Sequence, residues 1–520
     1  MKNVSRRSFL KVSSAMVAGL TIVPSSILGR GAGHVAPSDK LNIAGIGVGG
    51  MGRRNLANMS TENIVALCDV DWHYADKTFK DYPNAIRFKD WRVMFDKIGK
   101  SIDAVMVATP DHTHAGVTAH AITLGKHCYT QKPLAHSVYE SRLLTKLAKK
   151  YKVATQMGNQ GNSFDWCRQV AEWIQAGVIG DVREVHCWTD RPIWPQGLMK
   201  PKDEFEYPKN LDWDLFIGPA HKRPYNPVYT PWNWRGWWDF GTGALGDMAC
   251  HIMDPLYWAL DLKYPTSVIG SSTLCNLYSP PHAQTVTYTF PERPAKGNVK
   301  MPEVKVYWYD GGLMPPRPEE LKDGQMMGDE NGGIIFVGAK GKIMTGCYGM
   351  NPTLLPVSEM EHFDQPKPTL ARVKGGNGNI WSTNAHEQDW IRACKESPEN
   401  RIEASSNFQF SGPFNEMVVM GILAVRLSGL YGLHRELRWN SENMRFTNIF
   451  SEDKIKIVTV DDFKVIDGDP RFDRRFAELN AVEMADEWIK HTYRNGFSLP
   501  EMPLKSAANL SRNASSTFGN

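Results

Sequence analysis

A glycine-rich turn at residues 43–52 is the feature that most constrains how this chain can fold. It reads Ile-Ala-Gly-Ile-Gly-Val-Gly-Gly-Met-Gly, in which Gly47, Gly49 and Gly52 fit the pattern G-x-G-x-x-G. An apolar run suited to a buried strand precedes the turn, and residues 53–59 can open a helix. The glycines of such a unit permit a tight turn, close approach of a pyrophosphate, and close packing of helix on strand. The turn therefore predicts a dinucleotide-binding α/β domain.

An acidic residue follows the turn at the distance that ribose binding requires. A second apolar strand, residues 64–68, ends at Asp69, about 20 residues beyond the middle glycine. A carboxylate there would accept the ribose hydroxyls of NAD and repel the extra phosphate of NADP, so NAD is the expected cofactor. Asp71 is the alternative for this role, and an ordinary glycine turn is the alternative for the motif. The turn residues expected to contact the cofactor are Gly47, Gly49, Gly50, Met51 and Gly52.

The order of predicted elements indicates two domains. Strands and helices alternate from Leu41 to about Ala154, which is typical of a parallel sheet covered by helices. Beyond Gly158 comes a long stretch rich in Trp and Pro, followed by strand-like pieces such as residues 285–290 and 334–337. We therefore expect an α/β protein with an N-terminal Rossmann domain and a C-terminal α+β domain whose sheet is mostly antiparallel.

The N-terminus resembles a twin-arginine export signal. Arg6 and Arg7 stand in the segment Ser-Arg-Arg-Ser-Phe-Leu-Lys, and a moderately apolar stretch covers residues 12–23. That stretch is too short for a good membrane span, so we expect no span once the signal is removed. Cleavage is expected between residues 26 and 37, which predicts a periplasmic or otherwise exported protein.

The charge balance argues against nucleic acid as a partner. The chain has 60 basic and 56 acidic side chains, and residues 1–30 hold five of the bases and no acid. The remainder is nearly neutral and offers no electrostatic footprint for nucleic acid or anionic lipid. The eight cysteines are scattered without a C-x-x-C pair, so free buried thiols are expected.

Two histidines follow the predicted strand at residues 102–108. They belong to Thr-Pro-Asp-His-Thr-His, at the strand end where doubly wound sheets bind ligands. The H-x-H spacing suits a metal pair, but no Cys-rich or carboxylate-rich partner accompanies it. We therefore expect no metal, and instead a turn in which Thr109, Pro110 and His114 contact the cofactor.

Residues 129–134, Tyr-Thr-Gln-Lys-Pro-Leu, complete a set of motifs that resembles the Gfo/Idh/MocA oxidoreductases. They match the family's Glu-Lys-Pro motif except that Gln131 replaces Glu. The resemblance also covers the Rossmann domain, the loop after residue 108 and the segment 241–254. It implies that Gln131 and Lys132 lie at the cofactor and that Lys132 touches the reacting hydroxyl of a sugar or polyol. A partly desolvated lysine suits that place because it can exchange a proton with an oxygen.

Asp247 and His251 form a second candidate group. They are four residues apart, so on a helix they share one face. Histidine suits acid–base chemistry near neutral pH, and a neighbouring carboxylate orients it. Similar segments in sugar and inositol dehydrogenases of the family supply an Asp and a His around the substrate hydroxyl, which implies a catalytic role for both. The alternatives are a buried histidine bonded to a carbonyl and, for Asp254, a helix-face contact.

Tryptophans cluster within residues 188–238, near the expected substrate strands. Their flat faces can stack on the C–H faces of sugars, although large aromatics are also ordinary core material. Two arginines beside them have donors for hydroxyls or acids. The expected substrate contacts are Arg191, Trp234 and Arg235.

The combined motifs predict NAD-dependent oxidation of a secondary hydroxyl in a sugar, glycoside or cyclitol. His251 would remove the hydroxyl proton with support from Asp247 and Lys132, while the cofactor carries the difficult chemistry. Since free NAD should be scarce outside the cytoplasm, export predicts a tightly held cofactor that is recycled in place.

Two other functions are compatible with the same motifs. One is an NAD-dependent glycoside-cleaving enzyme that works by transient oxidation and elimination. The other is a non-catalytic sugar- or nucleotide-binding protein on this fold. By the family resemblance we also expect a homo-oligomer, either a dimer or a tetramer. The predicted division is a signal peptide (1–36), a Rossmann NAD-binding domain (39–157), a Gfo/Idh/MocA-type substrate and oligomerisation domain (158–440) and a C-terminal extension (441–520).

Overall fold

The computed structural model describes residues 39–430 and 434–503. The predicted twin-arginine signal lies outside the described residues. Two large sheets organise the described chain, one from strands that end by Met157 and one from strands that begin at Val182. None of the helices in the described ranges is long and apolar enough to cross a membrane.

The first sheet is parallel in every strand pair. Its strands are β1 (Asn42–Ile46), β2 (Asn63–Cys68), β3 (Ile86–Phe88), β4 (Ala104–Val107), β5 (His127–Thr130) and β6 (Thr155–Met157). They lie in the order β3-β2-β1-β4-β5-β6. Ile43 and Met106 belong to a core cluster on one face, and Ala44 and Val105 to a larger cluster on the other. Both faces are therefore buried, as expected of a parallel sheet.

Helices connect these strands and cover the sheet. They are α1 (Gly50–Asn58), α2 (Asp76–Asp81), α3 (Trp91–Ile98), α4 (Asp111–Thr123) and α5 (Val138–Tyr151). Helix α5 begins with a capping box in which the side chain of Ser137 accepts from the backbone of Glu140, while Glu140 accepts from the backbone of Ser137. The strand order and the connecting helices confirm the predicted Rossmann domain.

The glycine turn between β1 and α1 has the tight geometry that its sequence predicts. Gly47 has a φ of +75°, a conformation that glycine adopts without strain. A Cβ added at Gly52 would overlap the carbonyl oxygen of Gly47. The third glycine of the motif therefore permits α1 to pack directly against the end of β1.

The second sheet is mostly antiparallel, as predicted. Its strands are β7 (Val182–Thr189), β8 (Ser267–Ser272), β9 (Gln284–Phe290), β12 (Val304–Asp310), β13 (Gly332–Gly338), β14 (Lys342–Gly346), β15 (Thr353–Leu355), β16 (Leu437–Asn440) and β17 (Arg445–Phe446). The two strands between β9 and β12, which are β10 (Arg293–Lys296) and β11 (Val299–Met301), form a separate hairpin. The order is β15-β14-β13-β7-β12-β9-β8-β16-β17, and among its described pairs only β7 with β12 is parallel.

Helices that follow the first sheet along the chain pack against both sheets. They are α6 (Asp165–Gln175), α7 (Trp213–Ile217), α8 (Gly243–Ile252), α9 (Asp254–Ala259), α10 (Ala385–Lys395) and α11 (Phe408–Arg426). Helix α10 contributes Trp390 and Ile391 to the core on one face of the first sheet. Helix α11 lies between α5 and β8, so the two domains share one continuous core.

The C-terminal extension has a defined structure that the sequence did not predict. Two long strands, β18 (Lys454–Ile466) and β19 (Asp469–Asn480), form a hairpin whose far end is exposed, with Phe472 at 78% exposure. Helix α12 (Ala481–Ile489) follows and buries Trp488 and Ile489 in the main core.

We expect Gly52→Ala to lower the free energy of unfolding by roughly 2 kcal/mol, because the added methyl group must displace backbone. Gly116→Ala in α4 is the matched control, since a Cβ there meets nothing within 4 Å. That change should leave stability equal or raise it by about 0.5–1 kcal/mol through helix propensity. Urea unfolding of the full chain compares the two, and equal midpoints would contradict the tight packing at Gly52.

Candidate active site

One cavity of about 700 Å³ runs along the carboxyl edge of the first sheet and reaches α8. This volume is typical of small-molecule sites. Of the residues predicted to bind cofactor, its wall includes Gly47, Gly49, Gly50, Met51, Asp69, Thr109, Pro110, Gln131 and Lys132. Of those predicted to act on or contact the substrate, it includes Arg191, Trp234, Arg235, Asp247 and His251. The cavity thus brings together nearly all of the predicted site residues.

The amino end of α1 opens into this cavity and fits a pyrophosphate. Gly49 is the N-cap, no side chain caps the helix, and its first turn holds no acidic residue. The first N–H groups of a helix lack intrahelical partners, and the helix dipole favours an anion there. Gly50 and Met51 stand at the cavity wall. These residues would hold the phosphates of a dinucleotide.

Asp69 ties the end of β2 to the glycine turn. Its Oδ2 accepts from the backbone N–H groups of Val48 at 2.8 Å and Gly49 at 3.3 Å, and its Oδ1 accepts from that of Asp71. Burial raises the pKa of Asp69 to about 6, against the lowering effect of these hydrogen bonds. Asp71 instead accepts from the backbone of the following turn, and both carboxylates reach the cavity. The ribose role of Asp69 stays a prediction, with Asp71 as its alternative.

Lys132 and Asp247 form a buried ion pair at the centre of the site. The Nζ of Lys132 donates to Asp247 Oδ1 at 2.8 Å and to its backbone oxygen at 2.9 Å. Arg235 Nε donates to the same Oδ1 at 3.2 Å. Burial favours the protonated carboxyl, but Lys132 and then Arg235 outweigh it and lower the pKa of Asp247 below its usual value. Asp247 is therefore ionised and fixes the position of the lysine.

His251 lies one turn beyond Asp247 on the same face of α8, as predicted. It is 5% exposed, and within the described part of the chain its Nδ1 has no hydrogen-bond partner. The ring of Tyr348 lies 4.7 Å from the imidazole. Burial and then the charge of Lys132 lower the pKa of His251 well below its usual value. The imidazole is therefore neutral, and its Nδ1 is a buried polar atom that no described residue engages.

Helix α8 is anchored to the first domain at its amino end. The hydroxyl of Thr242 donates to Asp111 Oδ2 at 2.7 Å, at the start of α4. Burial raises the pKa of Asp111 to about 7. At the carboxyl end, Asp254 accepts from the side-chain amides of Asn159 and Asn162, both at 2.9 Å. Asp254 thus makes a structural contact and does not line the cavity.

His114 lies behind the cavity wall and not in it. Helix α4 begins at Asp111, so both His112 and His114 stand in its first turns, where the sequence suggested an open turn. The ring nitrogens of His114 lie 2.7 Å from the carbonyl oxygen of Pro133 and 2.8 Å from that of Thr109. His114 therefore joins two segments that carry wall residues. Burial lowers the pKa of His114 to about 4.

Gln131 belongs to a buried polar chain, and its Oε1 also accepts from the backbone N–H of Lys132 at 3.3 Å. Its Nε2 donates to Asn55 Oδ1 at 2.9 Å, and Asn55 Nδ2 donates to Glu387 Oε1 at 2.8 Å. A Cβ added at Gly158 would lie 2.6 Å from the Gln131 amide. The amide thus fills a close-packed space. In that space Asn55 accepts a hydrogen bond from residue 131 and donates one to Glu387.

The predicted aromatic wall divides into cavity and core. The guanidinium carbon of Arg235 lies 3.9 Å from the ring centre of Trp232 and 4.2 Å from that of Trp234, and all three line the cavity. Arg191 also reaches the cavity and pairs with Asp190. The core members of the tryptophan cluster are Trp188, Trp237 and Trp238.

Four aromatic wall residues beyond residue 340 were not predicted from the sequence. They are Tyr348, Trp381, Tyr493 and Phe497. Tyr348 has a φ of +64°, a conformation that is uncommon outside glycine and occurs at functional sites. None of the four belongs to a motif with a defined spacing from the glycine turn. Only the folded chain brings them to the cavity.

We expect Gln131→Glu to lower the free energy of unfolding by about 1–3 kcal/mol, because Asn55 would then lie between two carboxylates. Whichever way the Asn55 amide is turned, its carbonyl oxygen would face one of them. Urea unfolding at neutral pH measures the loss. Gln365→Glu is the control, because this exposed side chain accepts from Gln169 Nε2 and a carboxylate can still accept there; it should shift stability by no more than about 0.5 kcal/mol. Equal losses for both variants would contradict the buried polar chain.

Family models match two of the segments that line the cavity. Residues 41–159 match the Gfo/Idh/MocA model described as "Oxidoreductase family, NAD-binding Rossmann fold". Residues 186–273 match the model described as "Oxidoreductase family, C-terminal alpha/beta domain". The first of these ranges holds the glycine turn and Lys132, and the second holds Asp247 and His251. The first domain is therefore an NAD-binding Rossmann domain.

Individual relatives are more distant. "Glycosyl hydrolase family 109 protein 1" of Shewanella sp. (strain MR-4) is 25% identical over 209 residues, which is 35% of this chain and 45% of that protein. "Inositol 2-dehydrogenase" of Salmonella paratyphi B (strain ATCC BAA-1250 / SPB7) is 30% identical over 151 residues, which is 28% of this chain and 44% of that protein. The chain thus matches less than half the length of either relative.

A solved structure with the same fold is the WlbA dehydrogenase from Bordetella pertussis, in complex with NADH and UDP-GlcNAcA. Its TM-score is 0.50 at 16% identity, and the alignment covers 77% of this chain and 99% of that one. This likeness concerns the fold alone. Residues 41–159 and 186–273 are thus similar to the two domains of the Gfo/Idh/MocA oxidoreductases.

Proposed function

We propose that this protein is an NAD-dependent oxidoreductase that oxidises a secondary hydroxyl of a sugar, glycoside or cyclitol. The observation that carries the proposal is the convergence of Lys132, Asp247 and His251 on the cavity that also holds the glycine turn. A proton-transfer group and a dinucleotide-binding turn in one cavity suit alcohol oxidation. The match to "Inositol 2-dehydrogenase" agrees with a polyol or sugar substrate.

The roles of the three residues follow from their charges and contacts. Asp247 holds the Lys132 ammonium, which is positioned to donate to the oxygen of a substrate hydroxyl. His251 is neutral and lines the same cavity, so we assign it the role of accepting the hydroxyl proton. Bound NAD supplies the acceptor for the hydride that leaves the substrate carbon. Trp232 and Trp234 offer flat faces to the sugar ring, and Arg235 holds Asp247 from the other side.

We further infer that the protein is exported through the twin-arginine pathway, with Arg6-Arg7 as the signal, and that it retains and recycles its NAD. Periplasmic location that persists after both arginines are replaced by lysine would refute the first part. Purified protein that releases no nucleotide on denaturation, judged by mass spectrometry, would refute the second.

We also infer a dimer or tetramer, by analogy with the family, and a monomeric mass in light scattering would refute that.

We expect Lys132→Met to reduce turnover by about a thousandfold or more, because the variant loses the ammonium at the reacting oxygen. NAD affinity should change by no more than a few-fold, since the glycine turn and Asp69 are untouched. Sugar- and cyclitol-dependent NADH formation and NAD titration measure the two effects. Lys149→Met, at an exposed position in the last turn of α5, is the matched control.

Two results of that experiment would contradict the proposal. Full turnover in Lys132→Met would remove the lysine from the mechanism. A wild-type protein that binds NAD and sugar without turnover would instead be the non-catalytic binding protein.

A second candidate function is redox-neutral cleavage of a glycoside, favoured by the match to "Glycosyl hydrolase family 109 protein 1". Oxidation of one hydroxyl to a ketone would acidify the neighbouring C–H, and loss of that proton would expel the glycosidic oxygen. Addition of water and return of the hydride then complete the cycle with no net redox change. With aryl glycosides, we expect phenol release without accumulated NADH if this function holds, and a stable keto product if net oxidation holds.

A further inference from the structure

The chain after α12 forms part of the cavity wall, although it lies outside both ranges matched by the family models. We refer to residues 490–498 as the C-terminal strap. Tyr493, Gly496, Phe497 and Ser498 of this strap line the same cavity as the glycine turn and Lys132. The strap has no regular secondary structure beyond a turn, so its position depends on side-chain contacts.

The root of the strap is fixed in the core of the second domain. Trp488 and Ile489, the last residues before it on α12, are buried, and the guanidinium of Arg426 stacks on Trp488 at 4.0 Å. His491 then reaches the first domain, where its Nδ1 lies 3.1 Å from Nδ1 of His136. The strap therefore starts from a rigid position beside the segment that follows Lys132.

The middle of the strap is bonded to both sides of the cavity. The hydroxyl of Tyr493 donates to Glu140 Oε1 at 2.8 Å, in the capping box of α5. Arg494 pairs with both carboxylate oxygens of Asp214 on α7, at 3.0 and 3.1 Å, and donates to the backbone of Gly218. Because Glu140 belongs to the first domain and Asp214 to the second, the strap bridges the two.

The far end of the strap is clasped by two arginines. The ring of Phe497 has the guanidinium carbons of Arg92 and Arg494 at 4.7 and 4.8 Å from its centre. Arg92, on α3 of the first domain, also donates to the carbonyl oxygen of Gly496 at 3.2 Å and is held by a bidentate pair with Asp90. Each guanidinium group also has a carboxylate partner, which is Asp90 for Arg92 and Asp214 for Arg494. Both arginines therefore hold the Phe497 ring and are not free to bind an anion.

We propose that the C-terminal strap is a further part of the dinucleotide site and that it slows release of the cofactor. This inference rests on the proposed NAD-dependent function. The reaction centre is formed by Lys132, Asp247 and His251, and the strap touches none of them by a hydrogen bond or ion pair among the described contacts. Within the cavity wall the strap packs against α3 through Arg92 and against α7 through Asp214. The strap thus controls how long the cofactor stays.

The test compares Phe497→Ala with Phe472→Ala in the full chain. Phe497→Ala removes the ring between the two arginines and should speed NAD dissociation by about tenfold, measured by stopped-flow tryptophan fluorescence after mixing with a competing nucleotide. Phe472→Ala removes an equal ring at the exposed end of the β18–β19 hairpin and should leave the rate unchanged. The single-turnover rate of hydroxyl oxidation in Phe472→Ala should equal that of the wild type.

Tyr493→Phe is the conservative second variant, because it keeps the ring and removes only the donor to Glu140. We expect it to fold and to speed NAD dissociation a few-fold, so it decides the matter if Phe497→Ala does not fold. If folded Phe497→Ala and Tyr493→Phe both release NAD at the wild-type rate, the proposed role of the strap is wrong. That result would not overturn the proposed function. A wild-type protein that binds no NAD would overturn the proposed function and this inference with it.

Discussion

The ion pair between Lys132 and Asp247 is the interaction on which the arrangement of the site depends. Lys132 follows the last residues of β5 in the first domain, and Asp247 belongs to α8 in the second, so one 2.8 Å contact joins the cofactor side to the substrate side. Both side chains are largely buried, at 13% and 15% exposure, and Arg235 adds a second cation to the same oxygen. Without Asp247, the ammonium of Lys132 would lose its carboxylate partner in this largely buried place, which would cost stability.

Polar contacts on both sides of this ion pair hold the segment after Lys132 and the helix that carries Asp247 in place. Asn415 of α11 accepts from the backbone of Leu134 at 3.0 Å and donates to that of Ala135 at 2.9 Å, just beyond Lys132. Thr242 binds Asp111 at the amino end of α8. Each contact crosses between chain segments more than a hundred residues apart. The positions of the lysine and of the helix that carries Asp247 and His251 are therefore set by the fold of the whole chain.

Sequence reasoning was most successful where the signal was local. The glycine turn, the alternation of strands and helices, and the i,i+4 spacing of Asp247 and His251 depend on residues within a few turns of one another, and the structure places all of them as expected. It failed where the partner was distant. His114 occurs in a motif that suggests a ligand contact, yet its ring faces two carbonyl oxygens. The C-terminal extension carries no motif, yet Tyr493 and Phe497 reach the cavity.

The sequence by itself determined the Rossmann domain and the antiparallel second sheet, because periodicity and motif spacing specify local backbone geometry. The resemblance of its motifs to a known family pointed to the charged residues at the centre. Only the tertiary structure decided which of those residues share a cavity, which carboxylates are engaged by backbone donors, and that the C-terminal strap forms part of the wall. Burial and hydrogen-bond partners arise from contacts between distant segments, and no spacing along the chain encodes them. The charge states of Asp247 and His251 belong to this second group, since they depend on desolvation and on Lys132.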